Sequence, residues 1–206
     1  MSRPTRVLNT RPLEQAAELS ALLRAAGFEV VEAPAIEIVP RWADAEMQVI
    51  RARLRQGQYT WLVLSSGNAA RLLSQALGGQ PPPVPVLCGE TTARTAGLQA
   101  AMTLDRFSAA AALEALRPRL ARGDCVLIPR AQEGRDELVE GLLAHGIRVD
   151  APVLYATRPM PSTALVALLQ GEAIEVVTVC SPSAVQALVT SVGRQWLSER
   201  RLVCLG

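Results

Sequence analysis

The chain has 206 residues, of which 50% are hydrophobic and 19% are charged, and its formal net charge is +2. This composition is typical of a globular protein with buried cores. The small charge and an aromatic share of 3% argue against nucleic-acid binding. All 21 basic residues are arginine, which excludes lysine Schiff-base chemistry and Walker-type phosphate loops.

Apolar runs alternate with helix-periodic stretches along the chain. The pattern predicts strands at 7–10, 28–32, 61–65, 84–88, 102–106, 125–129, 147–149, 175–180 and 202–205. It predicts helices at 13–26, 44–56, 108–120, 135–144 and 162–170, and helices that begin near 68 and 91. Asp44 and Ser108 are the expected caps of two of them. Such alternation favours an α/β fold with parallel sheets covered by helices on both faces.

The second half of the chain repeats motifs of the first at offsets of about 115 to 119 residues. The repeated motifs are 7–12 with 126–130, 64–69 with 179–184, and 86–89 with 203–206. The period is too long for a solenoid and indicates a duplicated α/β half. Two proline-bracketed extended segments, 34–40 and 152–159, are predicted linkers through which the chain crosses to a second domain and returns.

No apolar run approaches the roughly 20 residues that a membrane helix needs, and no apolar signal segment precedes the first strand. We therefore expect a cytoplasmic protein that does not bind membranes. The cysteines lie in or beside apolar strands without C-x-x-C spacing, so we expect buried thiols and no metal site at Cys88, Cys125, Cys180 and Cys204.

The single histidine, His145, precedes Gly146 at a predicted helix end. A cation there suits the helix dipole, which favours local capping over general-base catalysis. Together with the absence of a G-x-S-x-G motif, this placement argues against a Ser-His-Asp hydrolase.

Small or polar residues lie at the ends of four predicted strands, where a helix begins. This is the usual ligand edge of a parallel sheet. Helix N-termini and backbone N–H groups at such junctions bind anions. These residues are therefore candidates for substrate binding, and the alternative is that they only cap helices. They are Thr10, Arg11, Ser65, Ser66, Asn68, Gly89, Thr91, Thr92, Ser181 and Ser183.

Tyr155 is one of two tyrosines and lies on the second predicted linker, where it would face an interdomain cleft. A phenol there can donate a proton to a departing hydroxyl, or it can simply pack and form a hydrogen bond. Arg11 and Arg130 are related by the repeat. Each is a candidate for bidentate binding of a substrate carboxylate or for an ion pair with a nearby acid.

A set of motifs spans the whole chain in order, and the ordered set is more specific than any one member. The motifs are 7–12, 22–30, 36–40, 66–69, 89–93, Tyr155 and 181–184. Together they resemble the uroporphyrinogen-III synthase family. Gly67 is a departure, because the family usually has alanine there.

The resemblance implies two similar flavodoxin-like domains with parallel sheets, joined by a two-stranded linker. Domain one would comprise 1–37 and 157–206, and domain two 41–153, with linkers at 34–40 and 152–159. Members of the family dehydrate and cyclise hydroxymethylbilane, with inversion of its last pyrrole ring, and use no cofactor or metal. The resemblance thus implies a hydro-lyase of heme biosynthesis.

The substrate's eight carboxylates would meet helix N-termini and backbone amides, and Tyr155 would be the acid. We expect a monomer, and hydroxymethylbilane synthase is a candidate partner. The competing interpretation is a non-catalytic, two-lobed module that binds a ligand or has a regulatory function. A nucleotide-binding domain is disfavoured, since no G-x-G-x-x-G motif follows a strand.

The last predicted strand ends at Gly206, whose repeat counterpart Gly89 is followed by a helix. We therefore expect domain one to be incomplete at its C-terminus. It would lack the helix over strand 202–205 and a further strand and helix, which would leave an apolar face and a sheet edge exposed.

Overall fold

The computed structural model describes residues 3–169 and 171–204. The strands are β1 Arg6–Asn9, β2 Glu29–Glu32, β3 Ile36–Pro40, β4 Trp61–Leu64, β5 Val86–Gly89, β6 Met102–Leu104, β7 Cys125–Leu127, β8 Arg130–Ala131, β9 Arg148–Asp150, β10 Val153–Pro159, β11 Val176–Val179 and β12 Arg201–Cys204. The helices are α1 Leu13–Ala25, α2 Asp44–Arg55, α3 Gly67–Ala76, α4 Glu90–Ala96, α5 Ala109–Leu116, α6 Glu137–Ala144, α7 Ser162–Leu169 and α8 Pro182–Ser198. The predicted α/β class with parallel sheets is confirmed.

The chain divides into two compact units. Unit 1 contains 1–39 and 157–206, and unit 2 contains 40–156. A three-stranded sheet with the order β3-β10-β8 contains both segments in which the chain passes from one unit to the other. The segments predicted as extended linkers are thus strands.

Unit 1 is built on a four-stranded sheet with the order β12-β11-β1-β2. All three pairings are parallel, with Val7 opposite both Val176 and Val30. Its core combines strand residues such as Leu8 and Val177, both 0% exposed, with helix residues such as Leu188. The apolar, β-branched strands are therefore covered by helices, as a parallel sheet requires.

Unit 2 is built on a five-stranded parallel sheet with the order β6-β5-β4-β7-β9. Its core contains strand residues Val63 and Leu87 and the helix residue Leu116, all 0% exposed. Gly141 lies inside α6 because a side chain there would meet Leu113 of α5 at 2.5 Å. Close approach of the two helices thus explains a glycine that weakens an isolated helix.

Strands related by the sequence repeat hold corresponding places in the two sheets. In unit 1 the order β12-β11-β1-β2 matches β5-β4-β7-β9 in unit 2. The junctions after related strands therefore lie at equivalent positions of each sheet. This agreement supports the duplication inferred from the motifs.

Several local predictions were wrong, each for a physical reason. Asp44 is the first helical residue of α2 rather than its cap, which is Ala43. The helix predicted at 108–120 ends at Leu116 and continues as a 3₁₀ turn, because Pro118 disrupts the α-helical hydrogen bonds. Cys204 is exposed rather than buried, since its strand lies at a sheet edge.

Strand β12 is the edge of the unit 1 sheet in the described part of the chain. Val203 is 38% exposed, whereas its repeat counterpart Val86 in β5 is buried, and the neighbouring Leu202 is 46% exposed. An exposed apolar edge was expected from the sequence. Gly206, on which the expectation of an incomplete domain rested, lies outside the described residues.

Within 3–169 and 171–204, no helix has both the length and the apolar character needed to cross a membrane.

A buried hydrogen-bond network holds the end of β1. The amide of Asn9, which is 0% exposed, donates to the Ala16 carbonyl at 3.0 Å and to Ser20 Oγ at 2.9 Å. Asn9 Oδ1 accepts from the Arg11 backbone N–H at 3.2 Å. One side chain therefore joins the strand, helix α1 and the loop that carries Arg11.

We expect Asn9→Ala to lower the free energy of unfolding by about 2 kcal/mol, because buried polar groups lose their partner. Urea unfolding measures this. Ser198→Ala, which removes an exposed hydrogen bond to the Gln195 carbonyl, is the matched control and should change it by less than about 0.5 kcal/mol. Equal effects of the two substitutions would contradict the role assigned to Asn9.

Candidate active site

The carboxyl edge of the unit 2 sheet brings together the junctions after two neighbouring strands. Ser65 and Ser66 follow β4, and Gly89 ends β5, which pairs with β4. Ser65 is exposed and Ser66 is half-buried. Parallel pairing thus places two predicted anion-binding loops side by side.

Ser66 begins α3 and also contacts Tyr155. Its Oγ accepts from the Ala69 backbone N–H at 3.1 Å, which makes it the N-cap. The same oxygen lies 3.0 Å from Tyr155 Oη. The structure therefore joins two residues that the sequence proposed separately, a candidate ligand residue and the candidate acid.

Tyr155 is held by its backbone as well as by its hydroxyl. It lies in β10, opposite Ala131 of β8, and its carbonyl accepts from the Gln132 backbone N–H at 2.7 Å. The side chain is 6% exposed. A short strand, β8, which sequence patterns did not predict, therefore sets the position of the tyrosine.

The loop after β5 approaches closely packed neighbours. A side chain at Gly89 would meet Phe107 Cβ at 3.3 Å, and Thr92 is 9% exposed. Gly89 is the N-cap of α4. Because it has no side chain, it accepts no side-chain hydrogen bond from the first N–H groups of that helix. Thr91 is exposed beside it, and Asn68 is half-buried in the first turn of α3.

Arg130 is held within its own loop. Its guanidinium forms an ion pair with Asp136 and donates to the Gly134 carbonyl. Of the two alternatives for this arginine, the structure shows the local ion pair, and binding of a substrate carboxylate stays a prediction.

Arg41 is a cation near β10, the strand that contains Tyr155. Sequence analysis did not identify this arginine. Its backbone N–H donates to the Leu154 carbonyl at 2.8 Å. Its guanidinium donates to Gln132 Oε1 at 3.2 and 3.3 Å, and both side chains are exposed. Arg41 directly follows the first proline-bracketed linker, and this position is the sequence feature that could have identified it.

In unit 1 the junctions after β1 and β11 lie side by side, because those strands pair. Thr10 is 1% exposed and its hydroxyl donates to the Thr178 carbonyl at 2.6 Å, an arrangement that cross-links the strands. Arg11 is half-buried. Burial raises the pKa of the half-buried Cys180 thiol, while the nearby charge of Arg11 acts to lower it. Arg11 thus lies close to the start of α8.

Ser181 caps α8 through a hydrogen bond from the Ala184 N–H at 3.2 Å, as Ser66 caps α3. Ser183 is exposed in the first turn. Both alternatives for Ser181 remain compatible with this geometry, since a capping oxygen at a helix start also faces the end where anions bind.

The single histidine has a structural role. His145 lies at the end of α6 with Nδ1 2.7 Å from the Gly141 carbonyl, which confirms its capping role. In the described part of the chain, no three His, Cys, Asp or Glu side chains are grouped to hold a metal ion.

A family model described as uroporphyrinogen-III synthase HemD matches residues 17–206. The chain belongs to this family. The family match spans both units and every candidate residue except Thr10 and Arg11. The function that follows from it is that of a uroporphyrinogen-III synthase, an enzyme of heme biosynthesis.

Two relatives agree with this assignment. The uroporphyrinogen-III synthase of Synechococcus elongatus is 28% identical over an alignment that covers 92% of this chain and 77% of that protein. The porphyrin biosynthesis protein HemD of Ruminiclostridium josui is 27% identical over 98% of this chain and 42% of its own length.

Solved structures share the fold. A mutant uroporphyrinogen III synthase of Thermus thermophilus has a TM-score of 0.58 at 20% identity, covering 97% of this chain and 83% of that one. Uroporphyrinogen-III synthetase of Helicobacter pylori has a TM-score of 0.57 at 18% identity, covering 97% and 92%.

The second tyrosine, Tyr59, has different surroundings. Its hydroxyl donates to Asp150 Oδ2 at 2.5 Å, the Asp150 carboxylate pairs with Arg53, and the Arg53 guanidinium lies 4.8 Å from the Tyr59 ring centre. Burial, and then the hydrogen bond to Asp150, raise the pKa of Tyr59. A phenol bound to a carboxylate in this way is a structural group.

We expect wild type to be more stable than Tyr59→Phe by about 1 kcal/mol at pH 8, and this advantage should shrink above pH 10. The unfolded tyrosine ionises near its ordinary pKa of 10.0, whereas folded Tyr59 stays protonated, so ionisation favours the unfolded chain. Urea unfolding at pH 8 and pH 11 measures the difference. A difference that is constant between those pH values would contradict the raised pKa.

Proposed function

We propose that this protein is a lyase that dehydrates and cyclises hydroxymethylbilane to uroporphyrinogen III, with inversion of the last pyrrole ring and without a cofactor. The observation that carries the proposal is the pair formed by Tyr155 and Ser66, whose hydroxyl oxygens are 3.0 Å apart. This pair lies at the carboxyl edge of a sheet in a chain of the synthase family.

The proposed acid step needs no strong acid. Tyr155 donates its proton to the hydroxymethyl oxygen as the carbon–oxygen bond breaks, and water leaves. The electron-rich pyrrole supplies the electron pair and carries the positive charge. Because inversion exchanges the two bridges of the last pyrrole ring, two carbon–carbon bonds form and one breaks. The proton lost from carbon restores the phenol, so the reaction is balanced without an oxidant or reductant.

Substrate binding is assigned to the strand–helix junctions of both units. Carboxylates of the substrate would meet helix N-termini, backbone N–H groups and exposed hydroxyls such as Ser65, Thr91 and Ser183. Arg11, and Arg41 beside the Tyr155 strand, would add positive charge. Fixing the substrate's fold selects the inverted ring closure, so positioning contributes more than acid–base chemistry.

We also propose that the two units are flavodoxin-like domains. With the strands of each sheet counted in chain order, unit 1 has the order 2-1-3-4, which matches four strands of the flavodoxin order 2-1-3-4-5. Unit 2 has the order 3-2-1-4-5, which is the same order after circular permutation. The cytoplasmic location, the monomeric state and docking of hydroxymethylbilane synthase stay predictions from the sequence.

The decisive experiment supplies hydroxymethylbilane, generated in situ by its synthase, and separates the product isomers by chromatography. We expect the type III isomer in proportion to the protein added. Omission of the protein gives the background of uncatalysed type I product. Only type I product at every protein concentration would refute the enzymatic function and favour the non-catalytic ligand-binding module.

We expect Tyr155→Phe to lower kcat by about 10² to 10⁴ while changing KM little, because an acid acts mainly in the transition state. Steady-state rates of type III formation measure both constants. Tyr59→Phe is the matched control and should leave kcat unchanged. An unaltered kcat in Tyr155→Phe would leave the tyrosine a packing role only.

A further inference from the structure

The Ser66 hydroxyl has two contacts that use different parts of its hydrogen-bonding capacity. It accepts the Ala69 N–H at 3.1 Å through a lone pair. Its single hydrogen and second lone pair remain for Tyr155 Oη at 3.0 Å. The helix cap therefore does not prevent Ser66 from donating a hydrogen bond to the tyrosine.

The proposed reaction fixes the direction of that bond. When Tyr155 directs its only hydrogen toward the leaving hydroxyl, it cannot donate to Ser66 as well. Ser66 must then be the donor. As the phenol loses its proton, the bond becomes one to a charged acceptor, and such bonds are shorter and about twice as strong as neutral ones.

The surroundings of Tyr155 do not fix the direction of its hydroxyl hydrogen, and Ser66 can do so. The tyrosine backbone is held in β10 by its pairing with β8, and the buried ring is held by packing. The hydroxyl hydrogen can still rotate about the carbon–oxygen bond. A bond donated by Ser66 occupies one lone pair of Oη and leaves the hydrogen available to substrate.

We propose that Ser66 is a positioning residue that acts through Tyr155 rather than by binding substrate. Its hydroxyl orients the phenol for proton donation and stabilises the oxygen that remains. This inference rests on the proposed function and assigns Ser66 a role beyond the alternatives of carboxylate ligand and helix cap.

Ser108 provides a matched control for the capping role. It begins α5 in the same unit and accepts the Ala111 N–H at 3.1 Å, the same distance as in the Ser66 cap. It lies in none of the candidate binding loops. Ser108→Ala therefore removes a comparable cap without touching the tyrosine.

The test is a double-mutant cycle of Ser66→Ala and Tyr155→Phe, read as kcat and KM for type III formation. We expect Ser66→Ala to lower kcat about tenfold, the equivalent of one hydrogen bond, with KM within about twofold. In the Tyr155→Phe background the same change should lower kcat by less than about twofold. Ser66→Thr, which keeps the hydroxyl, should restore kcat to within about threefold of wild type.

Two further variants separate the catalytic effect from folding. Ser66→Gly preserves most of the capping stability, so it should stay folded and show the kcat of Ser66→Ala. Ser108→Ala should lower the melting temperature as Ser66→Ala does and leave kcat unchanged.

The proposal is overturned if the fold-losses of Ser66→Ala and Tyr155→Phe multiply in the double variant, or if KM rises while kcat is kept. Either result would mean that Ser66 acts on substrate independently. Either result can be interpreted only if the wild-type protein forms the type III product. Its absence would instead refute the proposed function itself.

Discussion

Parallel strand pairing is the constraint on which the arrangement of this protein depends. Strands that run in one direction end at one edge, so every strand–helix junction of a sheet lies at that edge. In unit 2 this brings Ser66 and Gly89 to neighbouring positions, and in unit 1 it brings Arg11 next to Cys180. Residues far apart in the chain thus become neighbours without a dedicated binding domain, and duplication of the α/β half supplies two such edges.

At the end of β1, the edge of the unit 1 sheet is stabilised by buried hydrogen bonds. Asn9 and Thr10, at the end of β1, have partners in α1 and in β11. Thr178 completes the arrangement by donating to the Leu8 carbonyl at 3.0 Å. Because these bonds are made in a buried setting, losing one partner is costly, and the loop geometry is held firmly. Rigid junctions are suited to the proposed reaction, in which the fold of the substrate would determine the product.

The sequence predicted what local patterns encode. Apolar runs and helical spacing placed most strands and helices within a few residues, and serine before a helix correctly predicted the cap at Ser108. The two-residue strand β8 was missed, because Arg130 and Ala131 have neither the length nor the apolar alternation of a strand. The loop partners of Arg130 and the contact between Ser66 and Tyr155 could not be predicted either. They depend on how distant segments pair, about which periodicity contains no information.

The double contact of Ser66 also limits which residues this position can tolerate. At an ordinary N-cap, such as Ser108, aspartate, asparagine, threonine or glycine can replace serine at little cost, because only an acceptor or a free backbone is required. At Ser66 the proposed role also requires a side chain that reaches Tyr155 Oη with a hydrogen to donate, a requirement that aspartate and glycine do not meet. The proposed role therefore confines functional substitution there mainly to hydroxyl residues, although local sequence rules would class the position as freely exchangeable.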